Sequence, residues 1–352
     1  MRAVTVVPLQ KDSVDLTELR EPPESDGPVL VQTRAVGVCG TDLEIISGEY
    51  GWAPPGEDRL AIGHESLGQV LEAPDGAGVA PGDLVVAIVR RPDPVPCPNC
   101  AIGEWDMCRN GRYTEWGIKE HHGYARERYR ITPDFLVKVD AALGNLGVLL
   151  EPTTVVAKAW DHIERIGRRS EWKPQTVLVT GAGPIGLLAA LLGVQRGLEV
   201  HVLDQVTEGL KPDLVSALGA HYHHGAVADI GVEPDVVIEC TGVGPLIFDV
   251  MDHAGANGIV CLTGVSSGGR DISVDVGMLN RRLVLENDVV FGSVNANRRH
   301  YEAGAEALAG ADQQWLGRLI SRSVPLDRWH EAYTRQPTDV KVVLQFDEGA
   351  PA

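Results

Sequence analysis

The stretch VLVTGAGPIGLLA, residues 177–189, constrains the fold more than any other part of the chain. An apolar run at 177–180 reads as a buried strand, and 187–196 reads as an apolar helix. Between them stand Gly181, Gly183 and Gly186 in a G-x-G-x-x-G pattern that includes Pro184 and Ile185. The pattern alone is weak, but between a strand and a helix it is specific. Gly181 allows a tight turn, Gly183 lets a pyrophosphate approach the backbone, and Gly186 lets helix and strand pack closely. The amides at the helix start then face the pyrophosphate. A second strand at 200–203 ends in Asp204, placed to accept hydrogen bonds from adenosine ribose hydroxyls and to repel a 2′-phosphate. Gln205 and Val206 follow it rather than arginine, so NAD is favoured, with NADP possible.

The alternation continues with strands at 236–240, 260–265 and 289–291. Thr241-Gly242 and Thr263-Gly264 close two of them, and ligands of open α/β sheets bind at such strand ends. Val265, Val294 and Asn295 are expected to line the same cofactor site. Cys240 and Cys261 lie in apolar runs and read as packed core.

A chain of 352 residues exceeds what one core usually covers, so two domains are expected. Residues 1–92 read as short strands broken by dense turns such as PPESDGP and PDGAGVAPGD. Residues 151–165 read as a helix, with Pro152 in its first turn. After Asn295, helical segments and a strand at 340–346 are expected to return to the first domain. The net charge of −18 argues against a nucleic-acid partner. No acidic tail stands out beyond residues 347–352. No apolar run reaches membrane-spanning length, and the N-terminus lacks a signal pattern, so a cytoplasmic protein is expected.

The loops of the first domain carry the chemistry. GVCGTD at 37–42 and GHESLG at 63–68 present Cys39 and His64 from glycine-bounded turns, a thiolate and an imidazole suited to zinc. Glu151, at the start of a helix, is the best third ligand, leaving one position open as catalytic zinc requires. The bland alternatives are a buried thiol, a hydrogen-bonded histidine and a carboxylate on a helix dipole. Further on, Cys97-x2-Cys100-x7-Cys108 could grip a structural metal with Asp93 a candidate fourth ligand, the alternative being a metal-free lobe of three unlinked thiols.

Taken in order, VGVCGTD, GHESLGQV, PGDLVV, the cysteine lobe, the glutamate before a helix and VLVTGAGPIGLLA resemble the zinc-dependent medium-chain dehydrogenase/reductase family over nearly the whole chain. VRRP at 89–92, EWGI at 115–118, EPTTVVAKA at 151–159 and GSVN at 292–295 resemble its glucose dehydrogenase branch. The lobe has three of the family's four thiols, with Pro94 at the place of the first. This branch often carries arginines after the second strand and accepts NADP, whereas this chain has Asp204.

The resemblance implies an α/β protein with two domains. A GroES-like β-rich catalytic domain spans 1–155 and is completed by 296–352. A doubly wound, parallel-sheet Rossmann domain spans 156–295, with the active site in the cleft. It implies oxidation of the C1 hydroxyl of an aldose to the lactone. The alternatives are a polyol, secondary-alcohol or threonine dehydrogenase, or a non-catalytic NAD-binding protein. Zinc would be held by Cys39, His64 and Glu151, with Glu65 either a ligand or beside the ligands. Asp42 would fix the His64 tautomer, Thr41 would relay the alcohol proton, and Glu44 would pass it to solvent. Glu115 and Asn295, with Arg90 a weaker choice, would meet sugar hydroxyls alongside Thr41 and Glu151. A homodimer or homotetramer is expected.

Overall fold

The computed structural model describes residues 1–266, 268 and 271–346, and the acidic stretch 347–352 lies outside them. The chain divides into two compact units, one formed by Met1–Glu151 with the segment from Ala296 onward, the other by Pro152–Asn295.

The second unit is built on six parallel strands: β1 (Thr176–Thr180), β2 (Glu199–Leu203), β3 (His221–His223), β4 (Val236–Glu239), β5 (Ile259–Leu262) and β6 (Val289–Gly292). Their order across the sheet is β3-β2-β1-β4-β5-β6. The strand order therefore reverses between β1 and β4, and ligands bind at the carboxyl ends beside such a switch. Strands buried on both faces need near-continuous apolar runs, and Val177, Val179, Val236, Val237 and Ile238 are all fully buried. The helix Pro184–Gln195 begins at the proline rather than three residues later, because proline is pre-set for a first turn. The edge strand β3 is HYH, and it has no apolar run by which sequence could mark it.

In the first unit, strand Val29–Gly37 lies at the centre of the main sheet. It pairs antiparallel with Glu65–Glu72 on one side and with the C-terminal strand Lys341–Gln345 on the other. The registers set both Glu65 and Val343 opposite Gly37. The start of one strand, the end of another and the last strand of the chain thus meet at one corner. Val29, Val31, Val36, Val70, Val85, Tyr124 and Tyr129 fill one side of this core. Residues Gly40–Ile46 form a helix where the sequence reading had only a turn. It is barely two turns long, too short for apolar periodicity to show.

Candidate active site

The corner beside Gly37 collects most of the residues singled out in the first unit. A β-carbon on Gly37 would stand 2.0 Å from Glu65 Oε2, so only glycine leaves room for that carboxylate. Cys39 caps the helix Gly40–Ile46. Its backbone N–H donates to Asp42 Oδ2 at 2.9 Å, while Gly63 N–H donates to Asp42 Oδ1 at 3.2 Å. Asp42 is fully buried and therefore staples the cysteine loop to the histidine loop. His64 Nδ1 lies 3.4 Å from Asp42 Oδ1, a near contact rather than a formed hydrogen bond. Thr41 Oγ1 is 4.0 Å from Cys39 Sγ, and Glu44 is exposed on the same short helix.

Ligand atoms of Cys39, His64 and Glu65 all lie within 4.8 Å of one another. Burial works against a charged His64 ring, but Asp42 and Cys39 outweigh it and lift its pKa well above the ordinary histidine value. A pocket of thiol, imidazole and carboxylates that draws a positive charge so strongly fits a divalent cation.

Glu65 is also gripped by Lys341, whose Nζ donates to both its oxygens at 2.7 and 2.6 Å and to Val38 O at 3.1 Å. The converging triple thus contains Glu65 where the sequence reading favoured Glu151. Glu151 is the second residue of helix Leu150–Gly167 and senses the same charges. Burial pushes its carboxyl up to about 7, with His64 and Lys341 pulling it down and Glu65 and Asp42 pushing it further up.

Glu115 is buried against Arg90, which reaches its Oε1 through Nε at 3.1 Å and a terminal nitrogen at 3.0 Å. The expected sugar partners Glu115 and Arg90 therefore form an ion pair with each other. In the lobe, Cys97, Cys100 and Cys108 converge, with Cys97 and Cys100 sulfurs 3.6 Å apart. Thiolates on one zinc stand about 3.7 Å apart for Zn–S bonds of ~2.3 Å. Asp93 does not join them. Its oxygens accept from Val95 N–H and Asn110 Nδ2, both at 2.8 Å.

In the second unit, the turn after β1 has the features that a pyrophosphate needs. A β-carbon on Gly186 would stand 1.7 Å from Gly181 O, whereas open space lies over Gly183, so a phosphate could approach there. Pro184 and Ile185 open the helix. Asp204 accepts from Ala182 N–H at 2.7 Å and from Lys211 Nζ at 3.2 Å. Its pKa is lowered, because those hydrogen bonds, one from Val206 N–H and the Lys211 charge outweigh its burial. Thr241 and Gly242 donate backbone N–H groups to Glu239, a fully buried carboxylate that also accepts from the Thr180 hydroxyl. Thr263 and Gly264 N–H groups donate to the Glu239 carbonyl. Val265 and Val294 are exposed, and Asn295 holds a left-handed φ of 61°. Lys158 Nζ ties down the Val294 carbonyl at 2.9 Å. Cys261 is buried as expected, but Cys240 is only partly so, at the end of β4.

Two family models cover most of the chain: the alcohol dehydrogenase GroES-like domain over residues 25–141 and the glucose dehydrogenase C-terminus over 144–346. A glucose 1-dehydrogenase of Methanocella arvoryzae is 40% identical over 98% of this chain and 99% of that protein. The chain belongs to the glucose dehydrogenase family. A second family member, glucose 1-dehydrogenase 2 of Vulcanisaeta moutnovskia, is 41% identical over 98% of this chain and 99% of its own length. Among solved structures, Haloferax mediterranei glucose dehydrogenase in complex with NADP, Zn and gluconolactone superposes with a TM-score of 0.92. It is 30% identical, with 99% of this chain and 100% of that one covered.

Sequence reasoning missed three charged residues that hold the candidate residues of this glucose dehydrogenase-family chain: Lys341 in the first unit, and Lys211 and Glu239 in the second. Lys341 meets its partner 276 positions away, Lys211 pairs with Asp204 seven positions before it, and Glu239 takes the N–H groups of the turn that follows it. Only Glu239 left a trace, as a lone acid closing the apolar run VVIE.

Proposed function

We propose that this chain oxidises the C1 hydroxyl of an aldose such as D-glucose to the lactone, with hydride transfer to NAD or NADP. The observation that carries the reading is the convergence of Cys39, His64 and Glu65, with the Thr41 hydroxyl beside the thiol. The family relationship supports the aldose as substrate class. Cys39 and His64 would hold zinc, with Glu151 or Glu65 completing the set. When bound, zinc supplies a Lewis acid for the C1 oxygen and the nicotinamide supplies the hydride acceptor.

The remaining work falls to the chain. Asp42 holds both ligand loops and stands 3.4 Å from His64 Nδ1, the place from which a carboxylate would fix the ring once a metal is bound. The Thr41 hydroxyl both accepts and donates, so it takes the C1 hydroxyl proton and passes it outward. Glu44, exposed one turn further on, hands it to water. Lys341 donates to both Glu65 oxygens and holds the carboxylate toward the sheet. In the nucleotide-binding unit, the amides after Gly183 receive the pyrophosphate and Asp204 the ribose, while Val294 and Asn295 extend the same surface. The three lobe thiols would hold a second, structural zinc. We further propose that the enzyme works as a homo-oligomer.

Steady-state kinetics on a panel of aldoses, polyols and secondary alcohols with both cofactors tests the reading. Aldose oxidation should give the highest kcat/KM and release lactone. Turnover of polyols alone would refute it.

A further inference from the structure

A second group of ligating side chains stands on the nucleotide-binding sheet, made of residues that the reading above does not use. Glu199 and His201 lie two apart on β2, and His221 and His223 lie two apart on β3. Residues two apart on a strand share a face, and the parallel register sets His201 opposite His221 and Leu203 opposite His223. All four side chains therefore emerge on one face at the open edge of the sheet, where among the described residues β3 pairs with β2 alone.

Their geometry is that of a coordination shell. Ligand atoms of Glu199, His201 and His221 all lie within 4.8 Å of one another. Glu199 Oε1 is 3.2 Å from His201 Nε2 and 3.6 Å from His221 Nε2. Neighbouring ligands on a tetrahedral zinc stand about 3.3–3.4 Å apart for bonds of ~2.0–2.1 Å, and the two separations bracket that value. The other nitrogen of the buried His201 ring, Nδ1, lies 2.8 Å from His223 Nε2. A metal on His201 Nε2 would leave the proton on Nδ1, which then donates to His223, the outer partner that metal-bound histidines generally have. His221 and Glu199 are more than half exposed, so an ion can enter from solvent.

We propose that Glu199, His201 and His221 form a divalent transition-metal site on the edge of the nucleotide-binding sheet, with His223 as the hydrogen-bond partner that fixes the His201 tautomer. Two imidazoles and one carboxylate suit zinc, cobalt or nickel rather than calcium or magnesium, which prefer all-oxygen shells. The ion would clamp β3 to β2 just before Asp204, whose N–H already donates to His223 O at 3.1 Å. It would stabilise the strand ends that carry the ribose-binding carboxylate.

Equilibrium dialysis of the full chain against Zn²⁺, followed by metal analysis, tests the site. His221→Ala and Glu199→Gln alter exposed side chains, so their folding and aldose turnover should be unchanged. Each should hold one equivalent less zinc per chain than the parent, or bind that equivalent at least about tenfold more weakly. His224→Ala, next to the cluster, should behave as the parent. In Co²⁺-loaded protein, the difference spectrum of parent minus His221→Ala should show ligand-field bands without a thiolate charge-transfer band. Equal metal content in parent and both variants would overturn the proposal. An equal loss in His224→Ala, or a thiolate band in the difference spectrum, would do the same.

Discussion

Lys341 brings a full positive charge into the interior, where burial alone would drive its pKa down. Glu65, Cys39 and Glu151 reverse that effect, and the pKa stands above the ordinary lysine value. A buried pair of this kind contributes little net stability over an apolar one, but removing one partner strands the other. Lys341→Met should therefore cost about 3–5 kcal/mol in denaturant unfolding, because Glu65 is left facing Glu151. A second variant, Lys341→Met with Glu65→Gln, should recover much of that loss. Glu151 gives a pH signature. Its folded pKa of about 7 lies above the ordinary 4.5, so between these values the folded state binds more protons than the unfolded one. The stabilisation is full below the ordinary value and is lost as pH rises through about 7. Metal-free protein should thus lose stability over that window in thermal unfolding, and Glu151→Gln should flatten the slope. A parent slope equal to that of Glu151→Gln would place the carboxylate outside the cluster's field.

At the scale of elements, the turn after β1 and the acid after β2 work as one unit, because Asp204 accepts from Ala182 N–H inside the glycine turn. Lys211 sits on that acid at 3.2 Å and offsets part of its charge. Lys211→Ala should leave Asp204 uncompensated and raise the NAD over NADP ratio of kcat/KM by about tenfold, the equivalent of ~1.4 kcal/mol. A ratio that falls instead would make Asp204 a minor determinant. In the lobe, N–H groups of Arg109 and Cys100 lower the Cys97 thiol to about 6, while burial raises Cys100 to about 11. Metal-free protein should show a Cys97 thiolate by ultraviolet absorbance at neutral pH, its signal lost on acidification through about 6 and absent in Cys97→Ser. The parallel sheet was legible because its strands are apolar runs bounded by glycine and acid. β3 was not, since a polar edge strand needs no such run. Cys39 and His64 were legible because short glycine motifs fix where they point. The Glu65–Lys341 pair spans 276 positions, and nothing local in either segment announces the other. Asp93 misled for a related reason: its spacing suited a ligand, but a turn and Asn110 took both its oxygens first.

At the scale of the whole molecule, an excess of 49 acidic over 31 basic residues disfavours indiscriminate association, so any stable self-contact has to be specific. The helix Val276–Glu286, VGMLNRRLVLE, has none of its residues buried. Val276, Met278, Val284 and Leu285 are each more than 60% exposed. A helix of this length is marginal in water without an apolar face to pack, and monomers rarely leave such a patch open. The same helix leads directly into β6, the other edge of the parallel sheet, whose outer ladder groups are unpaired within the described residues. A two-fold axis beside β6 would cover both features at once, joining two sheets edge to edge under paired helices. The parent protein should therefore sediment as a dimer or a dimer of dimers of its 37.8 kDa chain. Val284→Glu combined with Leu285→Lys should shift it to monomer at micromolar concentration while the far-ultraviolet circular dichroism stays unchanged. A parent that is already monomeric under those conditions would leave the helix exposed for another purpose and remove the case for self-association through this edge.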